Sequence, residues 1–423
     1  MESSLIPFLM ILVFALGYVF ITLEHYTHVN KATIAILMAV ICWALQFATP
    51  APAGISHEHF LGEHLSNVAQ VVFFLMGAMT IVEIINVHQG FNVLTNAIRI
   101  TSKKKLLWVL GIITFFLSAV LDNLTTTVVM VTLLQRLIPK GEERLLYGGA
   151  VVIAANAGGA WTPIGDVTTT MLWIGEQLTS MHILQTLFLP SIVCLVVALL
   201  YLATRLKGEF PPMAKVEQQE EPFSKAIFFL GLGALIFVPI FRGWTGLPPF
   251  MGMLFGLGIL WLFTDLFHAK FEERSHLRVP NVLSKIDLSG ALFFLGILLC
   301  IDALDSAGLL HQLARFLDDR IGNVSLIAIA IGLASAVIDN VPLVAATMGM
   351  YDLATYPTDH TLWTQIAYTA GTGGSILLIG SAAGVVFMGM EKVDFLWYLK
   401  RITIPAFLGF LAGIGVYLLL FAH

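Results

Sequence analysis

Charge is what this sequence has least of. Only 12% of its 423 residues are Asp, Glu, Lys or Arg, about half the share a soluble domain carries. With 58% hydrophobic residues and a mean hydropathy of +0.88, too little polar surface is left to cover a water-soluble globule of this size. A soluble enzyme, a disordered chain and a nucleic-acid binder are thereby excluded. Cysteine is scarce as well. Cys42, Cys194 and Cys300 all lie inside apolar runs, which argues against a disulfide framework or a Cys-rich metal centre. No basic stretch precedes the first apolar run, so that run is expected to remain as a spanning helix and not to be cleaved as a signal. What the chain has instead is apolar length, and the expected fold is an all-α polytopic protein embedded in the lipid bilayer.

A crossing helix needs about 20 mostly apolar residues. Segments 5–23, 32–49, 67–87, 183–204, 225–242, 249–267, 288–304 and 396–421 meet that description. Four further apolar stretches, 105–138, 145–174, 322–356 and 361–390, are each interrupted near the middle by Gly, Asn, Asp, Thr or Pro.

The chain also repeats itself. Phe73-Phe74-Leu75 returns as Phe293-Phe294-Leu295, each followed by an apolar stretch with embedded acids, Glu83 in one copy and Asp302 and Asp305 in the other. Gly90 and Gly308 each open a short amphipathic segment. Ser118-Ala119-Val120-Leu121-Asp122-Asn123 matches Ser335-Ala336-Val337-Ile338-Asp339-Asn340 at an offset of 217. Gly158-Gly159 with Ile164-Gly165 matches Gly373-Gly374 with Ile379-Gly380 at an offset of 215. Four landmarks in one order define two repeats. The first, 1–206, holds spans within 5–87, a hairpin at 105–138, a broken helix at 145–174 and a span at 183–204. A cytoplasmic linker, 207–224, containing Glu217-Gln218-Gln219-Glu220-Glu221, leads to the second repeat, 225–423. That repeat has spans within 225–304, a hairpin at 322–356, a broken helix at 361–390 and a span at 396–421.

Cationic residues orient the spans, because Lys and Arg favour cytoplasmic loops. If 105–138 and 322–356 are re-entrant hairpins, each half crosses five times and the second half is inverted. Nineteen of the 22 Lys and Arg residues then fall on one face, among them Lys31, Arg99, Lys103, Lys215, Lys270 and Arg401, leaving only Arg242, Arg315 and Arg320 on the other. The first face is assigned to the cytoplasm and both termini to the opposite side. His57, His59 and His64 read as solvated histidines of an extracytoplasmic loop, and His25 and His28 as cytoplasmic ones.

Irregular backbone at membrane depth survives only where protein or a water-filled cavity satisfies it, so four broken elements point to one site between the repeats. The first tip reads Asp122-Asn123-Leu124-Thr125-Thr126 and the second Asp339-Asn340-Val341-Pro342. The broken helices carry Asn156, Gly158, Gly159, Thr162 and Asp166 in one repeat and Thr372, Gly374, Ser375 and Ser381 in the other. Glycines expose carbonyl oxygens where a helix unwinds, and Asn, Thr and Ser add neutral oxygens, a donor set for a hard monovalent cation. Asp122, Asp166 and Asp339 bring three carboxylates to these elements, which hold no Lys or Arg at their breaks. Repulsion among buried carboxylates lets a proton compete with a metal cation for the same oxygens. One alternately exposed site of this kind exchanges a cation for protons. Asp122, Asn123, Asn156, Asp339 and Asn340 are the expected cation ligands, with Glu83, Asp302 and Asp305 either a proton relay or simply paired acids near span ends. No resident cofactor is implied, because the cation and H⁺ are cargo.

These residues resemble a known family. The two Asp-Asn tips, the run Asn156-Ala157-Gly158-Gly159-Ala160-Trp161-Thr162-Pro163-Ile164-Gly165-Asp166-Val167-Thr168-Thr169 and Gly371-Thr372-Gly373-Gly374-Ser375 resemble the NhaD-type sodium/proton antiporters of the ion transporter superfamily. That superfamily also includes sodium-coupled dicarboxylate carriers and arsenite pumps. The resemblance implies a scaffold region that mediates a homodimer and a mobile region holding the hairpins and broken helices. It also implies exchange of Na⁺ or Li⁺ for H⁺ in a bacterial inner membrane, in the service of pH homeostasis. In the dicarboxylate branch the tips resemble Ser-Asn-Thr; Asp122 and Asp339 stand at the Ser-like positions here, which favours the antiporter branch.

Other readings compete at each position. Asp122 and Asp339 also suit simple helix caps. Thr125, Thr126 and Asn156 also suit satisfaction of helix backbone, and the glycines tight helix packing. Sodium-coupled uptake of a small anion is the alternative transport reading. An intramembrane aspartyl protease would also bury two Asp, but Pro163 stands where its Gly-x-Gly-Asp motif needs the first Gly. The internal repeat is left unexplained by proteolysis.

Overall fold

The computed structural model describes residues 2–49, 57–98, 100–210, 221–269 and 271–421. Arg99, Lys215, Lys270 and residues 217–220 of the acidic run lie outside the described residues. Among those described there is no strand, only an isolated antiparallel bridge between Ser102 and Glu209. The fold is all-α. Among the described residues, eight helices are long and apolar enough to cross a membrane: Leu5–Thr22, His57–Val87, Lys103–Leu121, Ser180–Ala203, Ser224–Thr245, Pro249–His268, Leu288–Ser306 and Thr403–Phe421. Lys31–Phe47, at 17 residues, falls just short of that length.

Two of the spans differ from the hydropathy pattern. The helix covering 67–87 begins at His57, so His57, His59 and His64 are helical and not part of a loop. His64 in particular packs its ring against Trp43, with 5.9 Å between ring centroids, and is not a solvated side chain. The apolar stretch 396–421 is two helices, Phe395–Arg401 and Thr403–Phe421, parted at Ile402. Hydropathy does not register a break of one residue.

The interrupted stretches break where their residues require it. Lys103–Leu121 and Asn123–Leu137 meet at Asp122 and pack on each other. Their outer ends lie together: Lys103 bonds Glu143, and Arg144 reaches the carbonyl of Ile138. The second hairpin, Val324–Ala334 and Asn340–Met350, is closed likewise by Tyr351, whose hydroxyl donates to Asp318 at 3.1 Å. The broken helices are Glu142–Gly159 with Val167–Ile174, and Thr361–Gly373 with Ala382–Glu391.

Equivalent segments of the two halves pack in equivalent ways. Each hairpin's first arm lies on its own broken helix, 103–121 on 142–159 and 324–334 on 361–373. Helix 180–203 pairs with 403–421. Outside this group, 31–47 packs on 288–306 and 249–268 on 57–87, a crossed arrangement between the halves. Close approach is enforced by glycine: a Cβ on Gly158 would sit 2.2 Å from the Phe115 carbonyl oxygen, and one on Gly373 would sit 2.1 Å from that of Gly332.

Ion pairs tie the ends of the elements together: Lys103–Glu143, Arg144–Glu391 and Arg401–Glu142, and separately Arg242–Glu176 and His64–Asp302.

Candidate functional site

Four helices begin at the centre of the molecule, and each is capped by its own first polar side chain. Asp122 caps Asn123–Leu137, accepting from the Thr125 N–H at 2.7 Å and from the Thr125 hydroxyl at 2.9 Å. Asp166 caps Val167–Ile174, its Oδ1 accepting from the N–H and the hydroxyl of Thr168, both at 2.9 Å. Asp339 caps Asn340–Met350 with a single longer bond, 3.3 Å from the Val341 N–H. Ser381 caps Ala382–Glu391. The reading of these acids as caps and the reading of them as a site are therefore the same geometry. Capping is what brings the carboxylates to the helix breaks.

Amides link the elements. Asn123 Nδ2 donates to Asp166 Oδ2 at 2.7 Å and to Asn156 Oδ1 at 3.0 Å. Asn340, from the second hairpin, reaches the same Asp166 oxygen at 3.4 Å. Asn156 Nδ2 donates to Ser381 Oγ at 3.0 Å, joining the two broken helices. Asp166 and Asn156 are 1% and 0% exposed, so these bonds lie out of water and breaking one leaves a costly unpaired group. Thr126 is buried with its hydroxyl unpartnered, an oxygen free to act as a ligand.

A cavity of about 500 Å³ reaches this centre. Asp122, Asn123, Thr125, Asp166, Asp339 and Asn340 line its inner wall, with Glu83 beside them; Lys31, Arg136 and Lys285 stand around it with Glu24 and Asp287. Asn156, Thr126 and Ser381 sit just behind the wall. Among the described residues, no three His, Cys, Asp or Glu side chains come together as a metal-holding group. The acids are spread along the wall, which suits a weakly held monovalent cation better than a chelated divalent one.

Not every expected residue faces the cavity. Gly159 and Gly374 pack against the carbonyls of Gly165 and Gly380, and Gly158 against Phe115. The Thr162 hydroxyl bonds Ala119 O, that of Thr372 bonds Tyr368 O, and that of Ser375 bonds Thr372 O. These glycines and hydroxyls hold the breaks together. Asp302 and Asp305 lie away from the cavity, paired with His64 and His311 at 3.5 and 3.4 Å. Thr168 was not anticipated, although Asp166-x-Thr168 is a readable cap pattern.

The electrostatic balance is informative. Each helix N-terminus presents about half a positive charge, so four of them bring about +2 against −3 from the three Asp caps. The balance is about one negative charge, enough for one monovalent cation or one proton. With neutral caps throughout, the same four helix ends would attract an anion.

Comparison with known proteins agrees with this arrangement. A family model described as citrate transporter (CitMHS) matches residues 18–369. "Sodium/proton antiporter 2" of Arabidopsis thaliana is 54% identical over 97% of this chain and 98% of its own length. "Sodium/proton antiporter 1" of the same plant is also 54% identical, over 97% of this chain and 72% of its own. "Na(+)/H(+) antiporter NhaD" of Vibrio cholerae is 30% identical over 99% and 92%. With its Asp-Asn tips, its capped broken helices and relatives matched along nearly its whole length, the chain belongs to the NhaD-type sodium/proton antiporters, a family of membrane transporters and not of enzymes.

Proposed function

We propose that this protein exchanges Na⁺, and Li⁺, for protons by alternating access. Asp122, Asp166 and Asp339 bind either a cation or a proton, and Asn123, Asn156, Asn340 and Thr126 supply neutral oxygens. The observation that carries the reading is the cavity leading to three Asp-capped helix ends whose summed charge is about −1. A bound Na⁺ neutralises that charge, and so does a proton, but both together leave the buried site positive. The two therefore compete, and the apparent KM for Na⁺ rises as pH falls.

In this reading the two hairpins are re-entrant, the second half of the chain is inverted, and both termini are extracytoplasmic. The cavity then opens to the cytoplasm. The hairpins, the broken helices and the paired helices 180–203 and 403–421 move against a scaffold built from the other long helices. Glu83 passes protons along the cytoplasmic approach, while Asp302 and Asp305 serve the far side. We further propose a bacterial inner-membrane location, supported by bacterial relatives matched along nearly the full chain, and a role in pH homeostasis. A homodimer forms through the outer scaffold helices 2–22, 224–245 and 249–268, whose apolar windows are the least buried.

Dissipation of a pH gradient in everted vesicles by Na⁺, Li⁺ or K⁺ tests the proposal. Na⁺ and Li⁺ should collapse the gradient in wild type and fail to do so in Asp122→Asn and Asp339→Asn. Wild-type rates in both variants would make these acids caps only.

The citrate-transporter description of the family model favours a second reading, sodium-coupled uptake of a small carboxylate. Lys31, Arg136 and Lys285 around the cavity would draw an anion in. The inner wall argues against it, since three carboxylates there repel a dicarboxylate. Sodium-dependent uptake of labelled citrate or succinate, without cation-dependent proton movement, would establish this second reading in place of the first.

A further inference from the structure

A second cavity, of about 810 Å³, shares no lining residue with the first. Ala119 and Val120 of the first hairpin and residues 162–164 of the first broken helix form one wall. Ile236 and Ile240 of helix Ser224–Thr245 form the other. The cavity thus ends on the residues just before Asp122 and Asp166, which line the first cavity instead. One wall belongs to the elements that move in the proposed cycle and the other to the scaffold.

Arg242 bridges the walls. It sits near the end of the scaffold helix, and its Nη1 donates to the Trp173 carbonyl at 2.7 Å. Its guanidinium carbon also lies 4.9 Å from the centroid of the Trp173 ring, so one buried residue receives both a charge-assisted hydrogen bond and a cation–π contact. Trp173 belongs to the last turn of Val167–Ile174, where carbonyls lack helix partners and a cation is favoured. Asp166 caps the other end of that helix, about 10 Å away along its axis. The Glu176 carboxylate adds an ion pair at 3.8 Å but is 75% exposed, so it contributes little. The loop beyond is tied within the moving region. The Thr358 hydroxyl donates to the Glu176 carbonyl at 2.8 Å, and Asp359 accepts from the Thr179 N–H at 2.7 Å. Arg242 therefore grips a rim that both repeats share.

We propose that Arg242 is a latch that holds the second cavity closed on the binding site while the first cavity is open. It is a positioning residue, acting through helix Val167–Ile174 on Asp166. Opening the second cavity toward the site draws the walls apart and takes the Trp173 carbonyl off the guanidinium. Water entering the widened space then solvates both groups, which keeps the step reversible. The charge of Arg242 is fixed, so the latch responds to movement and not to pH. This inference rests on the reading of alternating access with the second cavity on the extracytoplasmic side.

The apparent affinity from one face scales with the fraction of protein open to that face. Right-side-out and everted vesicles read the KM for Na⁺ from the two faces separately. Arg242→Met keeps the stem and removes the donors. Its KM from the extracytoplasmic face should fall about tenfold, the scale of one hydrogen bond from a charged group, with the cytoplasmic KM little changed. Arg242→Lys, which keeps the charge without the planar fork, should lie between Arg242→Met and wild type. Glu176→Gln should move either KM by less than about twofold. Val120→Cys in the cavity wall should react with a membrane-impermeant maleimide from outside several-fold faster once Arg242→Met is added; Cys42, Cys194 and Cys300 are buried. Wild-type KM values on both faces with unchanged labelling would overturn the inference. So would equal changes on both faces with a lowered unfolding temperature, the mark of a merely structural tie. Labelling of Val120→Cys from the cytoplasmic face alone would instead remove the orientation beneath it.

Discussion

Asn123 donates to Asp166 across 2.7 Å, binding the tip of the first hairpin to the start of the first broken helix's second half. The bond crosses between two elements that are both interrupted at the centre of the molecule. It sets the spacing between two of the three carboxylates. Asn340 makes only a longer contact, 3.4 Å, to the same oxygen, so Asn123 is the main donor.

Asn123→Ala should therefore reduce exchange more than Asn340→Ala. Removing Asn123 leaves Asp166 Oδ2 buried with one weak partner, a loss of about 1.5–3 kcal/mol for a bond to a charged group. In everted vesicles this corresponds to a fall of roughly 10- to 100-fold in kcat/KM for Na⁺. Equal effects from the two Asn variants would place the carboxylate evenly between the tips.

Asp122 stores strain where it acts. Its φ of 84° and ψ of 160° lie in a region essentially reserved for glycine, at a cost of order 1–3 kcal/mol. Asp339, at φ −49° and ψ 135°, carries no such strain. Asp122→Gly should consequently be more thermally stable than Asp122→Ala by about 1 kcal/mol or more, while both lose exchange. Thermal unfolding of the two purified variants checks this. No difference between them would mean the backbone relaxes once the carboxylate is gone.

Much of this was legible in the sequence, and the exceptions have physical causes. Apolar length located the long helices, and the Asp-Asn repeat located the tips, because membrane depth makes a lone carboxylate conspicuous. Asp166 was legible for the same reason, and Asn156 as a polar amide within an apolar helix. The duty of each oxygen was not. Thr372 and Ser375 look like ligands in sequence, yet their hydroxyls bond the carbonyl of the preceding turn, a local choice that composition does not record. Gly158 and Gly374 look like openings in a helix and instead admit a neighbouring backbone.

Packing at the glycines yields a further expectation. A Cβ on Gly158 would lie 2.2 Å from the Phe115 carbonyl oxygen, a backbone atom unable to rotate away. Gly158→Ala should cost about 1–3 kcal/mol through overpacking and lower the unfolding temperature. Gly233→Ala, which meets nothing within 4 Å, should not. The pair of variants separates a packing role from a general intolerance of larger residues in these helices.

Arg144 and Glu391 join the two broken helices at their outer ends, with Arg144 Nη2 2.8 Å from Glu391 Oε2 and the Glu391 side chain 1% exposed. Taking one member from a buried pair leaves an uncompensated charge, typically 3–5 kcal/mol of destabilisation, whereas replacing both is far milder. Glu391→Gln should lower thermal stability sharply, although Arg144 retains the Ile138 carbonyl at 3.3 Å. Glu391→Gln with Arg144→Met should recover most of the loss. If the movement of the transport region carries the two broken helices together, the double variant should also keep exchange close to wild type, because their relative position does not change during the cycle. If they separate in each turnover, the pair is broken and remade, and the double variant's turnover number should change while its stability does not. Measuring unfolding temperature and vesicle turnover on the same preparations distinguishes the two cases.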